Sequence, residues 1–216
     1  MEIQIEDQLL SGQDIRQVAS GRTGGTNAFR AAGFWAGLGT GFFDVLKGAG
    51  SVWLARWFFP DNAWLHVLAP IAAIIGHNYS IFLMERNADG KLRFRGGAGG
   101  APCLGGAFGL WAPSILFIFP IGALIFYFVG YASVTTLSAG IVATIVFAYR
   151  AYHGLSPWEY IFYGIFSELI LIWALRPNIQ RLMKGNERLV GLRAKRAKQR
   201  EERIHSSSSN SSSSSS

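Results

Sequence analysis

Residues 99–130 read GGAPCLGGAFGLWAPSILFIFPIGALIFYFVG, thirty-two residues without a charged side chain. As one α-helix this stretch would be about 48 Å long, whereas the hydrocarbon of a bilayer is only roughly 30 Å thick. We therefore expect the helix to break. Pro113 is the predicted position, because a proline removes a backbone hydrogen bond and biases the preceding residue away from helix. The two halves then form two short membrane crossings.

Other stretches also approach the roughly 20 apolar residues that a crossing needs, and they are residues 33–59, 64–84, 132–149 and 157–175. The basic segments between these spans are residues 13–30, residues 85–95 and the C-terminal tail, and the positive-inside rule places all three in the cytoplasm. An even number of crossings must then lie between one basic segment and the next. Two spans separate the first segment from the second, and splitting residues 99–130 gives four spans between the second segment and the tail. The sequence predicts an all-α polytopic membrane protein with about six transmembrane helices and both termini in the cytoplasm.

The charge distribution agrees with a membrane protein. Half of the residues are apolar and 15% are charged, against about 25% charged in a soluble domain. The net charge of +7 lies in residues 176–203, which contain ten basic and three acidic residues. A basic tail beside an apolar span is typical of a cytoplasmic flank at anionic lipid. We therefore expect membrane lipid, and not nucleic acid, as a partner.

The chain divides by composition into four parts: a polar N-terminal segment 1–13, a single membrane-embedded domain 14–190, a basic cytoplasmic tail 191–205 and a disordered serine-rich tail 206–216. The first sixteen residues hold no apolar run of the kind that a cleavable export signal requires. Residues 176–188 alternate apolar side chains with cations, which predicts a basic helix on the membrane surface. The lone Cys103 excludes an intrachain disulfide and a Cys-rich metal site, so we expect neither a metal nor a cofactor.

Polar residues gather in three islands, all on the side predicted to be cytoplasmic. The first island, residues 20–30, is rich in Gly, Ser, Thr and Asn and precedes a helix, so its backbone N–H groups and Arg30 suit a phosphate. A simple helix cap with a flexible loop is the alternative. The second island joins Gly76-His77-Asn78 to the glycine run 96–100, which is either another phosphate loop or a hinge. His77 is a proton carrier or an interfacial ring with its N–H paired. The third island is residues 176–188, which alone would be an anchor.

The motifs occur in a fixed order: Asp14-Ile15-Arg16, Ser20-Gly21-x-x-Gly24-x-Thr26-Asn27-x-x-Arg30-x-x-Gly33, Asp44-x-x-Lys47-Gly48, Gly76-His77-Asn78 with Gly96-Gly97-x-Gly99, and Asn178-Ile179-x-Arg181-Leu182-x-x-Gly185-x-Glu187. This order resembles the acyl-phosphate:glycerol-3-phosphate acyltransferase family of bacterial membranes. The resemblance implies transfer of an acyl group from acyl phosphate to the 1-hydroxyl of glycerol 3-phosphate. The products would be lysophosphatidic acid and phosphate, for phospholipid biosynthesis. It further implies a multi-pass protein of the bacterial cytoplasmic membrane with its active site facing the cytoplasm. The soluble enzyme that makes acyl phosphate would be a partner.

The resemblance also assigns roles to residues. The catalytic candidates are Ser20, Arg30 and His77. The substrate-binding candidates are Gly21, Gly24, Thr26, Asn27, Lys47, Asn78, Arg93, Arg95, Gly96, Gly97, Gly99, Ser133, Asn178 and Arg181. Of all these, Ser20, Thr26, Asn27 and Arg30 would hold the acyl phosphate. Glycerol 3-phosphate would be held by His77, Asn78, Gly96, Gly97, Gly99, Ser133, Asn178 and Arg181. Asp44 and Glu187 are expected to be structural, and Asp44 and Lys47, three apart on one helix, are expected to pair.

The chain departs from the family pattern at several places. Only the polar residues 1–13 precede Asp14, where the family has a further span. Arg22 and Gly25 stand where the first motif has Asn and Ala, Ala98 stands where the second glycine motif has Lys, and Leu175 stands where the family has His. Arg93 or Arg95 would then substitute as phosphate donors. Two alternatives remain open at this point: a non-catalytic relative that binds lipid phosphates, and a small transporter.

Overall fold

The computed structural model describes residues 21–86, 89–90 and 92–213, without the side chains of Arg93, Glu201 and residues 204–213. Its helices are α1 Gly25–Ala32, α2 Phe34–Phe58, α3 Ala63–Asn78, α4 Gly100–Leu110, α5 Ile115–Leu124, α6 Ala132–Tyr152, α7 Glu159–Met183 and α8 Gly191–Ser213. Strands β1 Ser80–Arg86 and β2 Leu92–Arg95 form an antiparallel hairpin. The expectation of a mainly helical membrane protein is confirmed, with this hairpin added.

The break predicted at Pro113 is present. Trp111 has extended backbone, a short 3₁₀ helix Ala112–Ser114 follows, and α5 then continues into a π-helical turn Ile125–Val129. Within the described part of the chain, three segments are long and apolar enough to cross a membrane by length and composition: Ala112–Val129, Ala132–Tyr152 and Glu159–Met183. Helix α4 has 11 residues and is thus about 16 Å long, roughly half of the hydrocarbon thickness.

The second predicted span is too long at its C-terminal end. Residues 64–84 were predicted as one helix, but helix α3 ends at Asn78 and the apolar residues after it form β1. The β-branched and aromatic residues Ile81 and Phe82 suit a strand. Pairing with β2 satisfies backbone groups that a helix would otherwise satisfy, with Glu85 opposite Arg93 and Arg86 opposite Leu92.

The last long helix continues beyond the predicted span end at residue 175. Pro177 lies inside α7 and leaves the carbonyl of Trp173 without its usual helical donor. Arg176 Nε donates to that carbonyl at 3.0 Å, and the helix continues to Met183. Residues 176–183 therefore belong to α7, and the basic C-terminal helix is α8, whose backbone extends to Ser213 within the serine run predicted to be disordered.

Glycines allow helices α2 and α4 to pack closely. A Cβ on Gly48 of α2 would overlap the carbonyl of Pro102 in α4, and a Cβ on Gly105 would overlap the carbonyl of Val45. Small residues at a membrane helix interface permit this approach of backbones. The N-terminus of α4 therefore lies beside the middle of α2, close to Asp44.

Candidate active site

Backbone hydrogen bonds join the first polar island to the second, and a side chain of the first island also contacts the third. Thr23 N donates to the carbonyl of Gly96 at 3.3 Å, and Gly97 N donates to the carbonyl of His77 at 3.0 Å. The first bond joins the loop before α1, called the first loop here (residues 21–24), to the glycine loop 96–99. The second bond joins the glycine loop to the end of α3. The islands that are separate in sequence thus form one site.

Arg22 connects all three islands. Its Nη1 donates to the carbonyl of Gly97 at 3.0 Å, and its Nη2 donates to the carbonyl of Ala174 at 2.6 Å and to Asn178 Oδ1 at 3.5 Å. The buried Asn27 donates from Nδ2 to the carbonyl of Arg22 at 2.9 Å. Arg22 was not among the predicted site residues. The available signal was a lone cation within a run of Gly, Ser, Thr and Asn.

Asp44, Lys47 and His77 form a compact charged cluster at the middle of α2. Lys47 Nζ lies 2.5 Å from Asp44 Oδ1, as the spacing on one helix face predicted, and 2.9 Å from His77 Nδ1. His77 Nδ1 lies 3.3 Å from Asp44 Oδ1. The other ring nitrogen, Nε2, faces Gly97, where a Cβ would overlap it. Both nitrogens of His77 therefore face protein groups.

The end of α7 is held by a buried carboxylate. Glu187 accepts from Ser133 Oγ at 2.6 Å and from Asn178 Nδ2 at 3.3 Å. Asn178 Oδ1 in turn accepts from Arg181 Nη2 at 3.1 Å. Glu187 thus fixes the orientation of Asn178, and the hydroxyl of Ser133 is directed to Glu187.

Three cavities adjoin these groups. The arginine cavity, of about 230 Å³, is lined by residues that include Arg22, Asn78, Arg95, Gly97, Asn178 and Arg181. The glycine cavity, of about 300 Å³, is lined by residues that include Thr26, Asn27, Asp44, His77, Ala98 and Gly99. The tail cavity, of about 260 Å³, is lined by residues that include Arg30, Asn178, Arg181, Glu187 and Arg188. Asn178 and Arg181 lie between the first cavity and the third.

The predicted residues separate into these cavities. Gly21 and Gly96 line the arginine cavity, and Gly24 lines the glycine cavity. Arg30 lies in the tail cavity, apart from Thr26 and Asn27, with which it was grouped. Burial, and then the charge of Arg188, lower the pKa of Arg30 from its usual value. Ser20 and the side chain of Arg93 lie outside the described residues.

Asn78, which lines the arginine cavity, has a buried amide whose hydrogen-bonding capacity is unsatisfied among the described residues. It is 5% exposed, and neither its Oδ1 nor its Nδ2 has a hydrogen-bond partner among the described residues. A buried polar group left unsatisfied costs about 1–3 kcal/mol. Asn78 lines the arginine cavity, where a polar ligand that reached the amide would offset that cost.

Helices long and apolar enough to cross a membrane, together with two cavities lined by arginines, indicate an integral membrane protein that binds anions. A sequence model described as glycerol-3-phosphate acyltransferase matches residues 4–185. The glycerol-3-phosphate acyltransferase of Thermus thermophilus is 37% identical over 183 residues, covering 85% of each chain. That of Rubrobacter xylanophilus is 33% identical over 183 residues, again covering 85% of each.

Solved structures agree with the sequence matches. PlsY (YgiH), an integral membrane glycerol 3-phosphate acyltransferase, in its glycerol 3-phosphate form has a TM-score of 0.70 and 30% identity, covering 86% of this chain and 88% of that one. Its lysophosphatidic acid form has a TM-score of 0.67 and 31% identity, covering 80% and 81%. The chain belongs to the glycerol-3-phosphate acyltransferase family. It is a membrane-embedded acyltransferase of phospholipid biosynthesis.

Proposed function

We propose that the protein transfers an acyl group from acyl phosphate to the 1-hydroxyl of glycerol 3-phosphate, giving lysophosphatidic acid and phosphate. The observation that carries this proposal is the arginine cavity, where Arg22 and Arg181 both donate to Asn178 beside the unsatisfied amide of Asn78. Guanidinium groups bind phosphate oxygens in a planar, two-pronged geometry. This cavity suits the phosphate of glycerol 3-phosphate.

The glycine cavity suits the acyl phosphate. Thr26 and Asn27 border it at the start of α1, where free backbone N–H groups attract an anion. Gly37 and Gly41 of α2 also line this cavity, and a Cβ on Gly41 would meet nothing within 4 Å. A Cβ on Gly37 would instead overlap Phe29 of α1, so we expect the acyl chain to leave the cavity beside Gly41.

The reaction needs alignment more than a strong base, because an acyl phosphate is already activated. The 1-hydroxyl oxygen attacks the carbonyl carbon, the bond from that carbon to the phosphate oxygen breaks, and the phosphate leaves with the electron pair. The hydroxyl proton passes to the leaving phosphate. We assign His77 to positioning, because Nδ1 faces Lys47 and Asp44 while Nε2 faces Gly97. Because the site holds both substrates side by side, the reaction takes place within one complex and needs no bimolecular encounter.

We further propose that the cavities face the cytoplasm of a bacterial cell membrane. Arg30, Arg181 and Arg188 lie at this end of the fold, and the basic helix α8 follows them. The positive-inside rule places such an end on the cytoplasmic side. A soluble enzyme that makes acyl phosphate would then deliver its product directly to the site.

The test is an assay of the purified full chain in detergent with palmitoyl phosphate and labelled glycerol 3-phosphate. Lysophosphatidic acid should form well above a heat-inactivated control, and palmitoyl-CoA in place of palmitoyl phosphate should yield none. Binding of glycerol 3-phosphate without product would favour the non-catalytic reading. Product from palmitoyl-CoA alone would overturn the assignment of the donor.

A matched pair of arginines separates phosphate binding from general surface charge. Arg181→Ala should lower activity by about tenfold or more, because a charged hydrogen-bond donor of the arginine cavity is lost. Arg176→Ala is the control, since Arg176 is on the same helix but stacks on Trp173 and lines none of the three cavities. Equal losses in both variants would contradict the proposed role of the cavity.

A further inference from the structure

The arginine cavity contains two guanidinium groups in close proximity. Arg22 and Arg181 reach the same acceptor, Asn178 Oδ1, at 3.5 Å and 3.1 Å. Burial, and then the charge of Arg181, lower the pKa of Arg22. Asn178 offers a dipole but no charge, so it offsets only part of the repulsion between the two cations. A dianion in the cavity would offset the rest.

The third arginine of the cavity contributes less charge. Arg95 Nε lies 2.8 Å from Glu85 Oε2, on the strand opposite, so its charge is balanced within the hairpin. No acidic side chain is among the described residues that line the cavity. Arg22 and Arg181 therefore set the positive charge that a ligand meets there.

Asn78 independently indicates that the cavity holds a ligand. The residue is 5% exposed and lines the cavity, and neither polar atom of its amide has a hydrogen-bond partner among the described residues. An amide offers a donor and an acceptor together. Such a pair suits a ligand that carries both hydroxyl groups and a phosphate.

Residue 98 is an alanine and therefore carries no charge. It borders the neighbouring glycine cavity. Arg22 binds the carbonyl of Gly97, the residue directly before it. We infer that Arg22 is a substrate-binding residue that supplies, from the first loop, a phosphate-binding cation beside the glycine loop, whose residues 96–100 carry no charge. This inference rests on the proposed function, because it names a residue that selects glycerol 3-phosphate within the same site.

The experiment is calorimetric titration of the full chain in detergent with glycerol 3-phosphate, without an acyl donor, together with steady-state kinetics. Arg22→Asn should raise the Kd and the KM for glycerol 3-phosphate by about tenfold or more, because a charge-assisted donor is lost. The KM for palmitoyl phosphate should stay within about twofold, since Arg22 does not line the glycine cavity. Arg22→Lys keeps the charge without the planar fork, so it should raise the same Kd by a smaller factor.

The control is Arg176→Asn, which also removes an arginine bonded to a helix carbonyl, but outside the cavities. If Arg22 only braces the loops, Arg22→Asn will raise both KM values together and lower the melting temperature, and the inference is overturned. An unchanged Kd in both Arg22 variants also overturns it. Failure of the proposed function has a different signature: the wild type binds glycerol 3-phosphate in an Arg22-dependent way but forms no lysophosphatidic acid.

Discussion

Ser133 Oγ donates to Glu187 Oε2 at 2.6 Å, and this bond joins the start of α6 to the segment after α7 across 54 residues of sequence. Both side chains are buried, with Ser133 1% and Glu187 8% exposed. Through its second oxygen, Glu187 also accepts from Asn178, which borders both the arginine cavity and the tail cavity. The pair therefore fixes a group of the site without lining the arginine cavity.

Glu187→Ala should lower kcat/KM by about tenfold, or about 1.4 kcal/mol, because Asn178 loses the acceptor that orients it. Glu187→Gln should lose less, since its amide oxygen still accepts from one of the two donors. Steady-state kinetics in detergent measure both. Glu202→Ala is the matched control, because Glu202 is exposed on α8 and lies 3.9 Å from Lys198. Full activity in Glu187→Ala would show that Asn178 needs no such support.

Arg30→Lys should reduce activity by about tenfold or more, about 1.4 kcal/mol, although it keeps the positive charge. Arg30 shares the tail cavity with Arg181 and Arg188, and only a planar guanidinium can present two parallel donors to a phosphate there. The measurement is kcat/KM for palmitoyl phosphate and for glycerol 3-phosphate separately. Wild-type constants in Arg30→Lys, beside an equally active Arg176→Lys, would mean that charge alone suffices.

Gly97→Ala should abolish most activity, because its Cβ would overlap the imidazole of His77 and displace it from Asp44 and Lys47. Gly76→Ala is the control. Gly76 is one residue from His77, inside α3, and a Cβ there meets nothing within 4 Å. Because Ala favours helix over Gly by about 0.5–1 kcal/mol, Gly76→Ala should keep activity and raise the melting temperature slightly. Activity of both variants, with thermal unfolding in detergent, decides whether the contact between Gly97 and His77 matters.

The order of the helices could be predicted because apolar length and proline positions act locally. The break at Pro113 and the pairing of Asp44 with Lys47 followed from chain geometry alone. The end of α3 could not be predicted, because the apolar residues after Asn78 suit a strand as well as a span, and β2 decides between the two. The continuation of α7 through Pro177 could not be predicted either, because a proline favours a helix end, and the carbonyl that it leaves free accepts from the exposed Arg176.

The sequence predicts which residue types form the site, but it does not predict which of them line the same cavity. Sequence spacing identified Thr26, Asn27 and Arg30 as one anion-binding loop, whereas α1 directs Arg30 into the tail cavity and the other two toward the glycine cavity. Arg22 was missed because its partners, Gly97 and Ala174, are 75 and 152 residues away in sequence. Contacts at such separations depend on helix packing that local patterns do not encode.

Cysteine labelling should locate the cavities relative to the membrane. A cysteine replacing Asp89, in the turn between the strands, should react only with a reagent supplied on the cytoplasmic side, as should one replacing Ser206. A cysteine replacing the exposed Leu155, between α6 and α7, should react only from outside, because α6 has crossed from the site to the opposite face. The native Cys103 is buried and should remain unlabelled. External labelling at residue 89 would place the cavities on the other side.

The double substitution Arg22→Asn with Ala98→Lys tests whether the two positions supply the same cation. Residue 98 follows the carbonyl that Arg22 binds, so a lysine there starts close to the arginine cavity. We expect Ala98→Lys to recover part of the affinity for glycerol 3-phosphate that Arg22→Asn loses, with a coupling of about 0.5–3 kcal/mol in the double-mutant cycle. The measurement is the Kd for glycerol 3-phosphate in the wild type, both single variants and the double variant. Strictly additive effects would show that a lysine at position 98 and Arg22 act on different groups, so that position 98 could not replace the cation of Arg22.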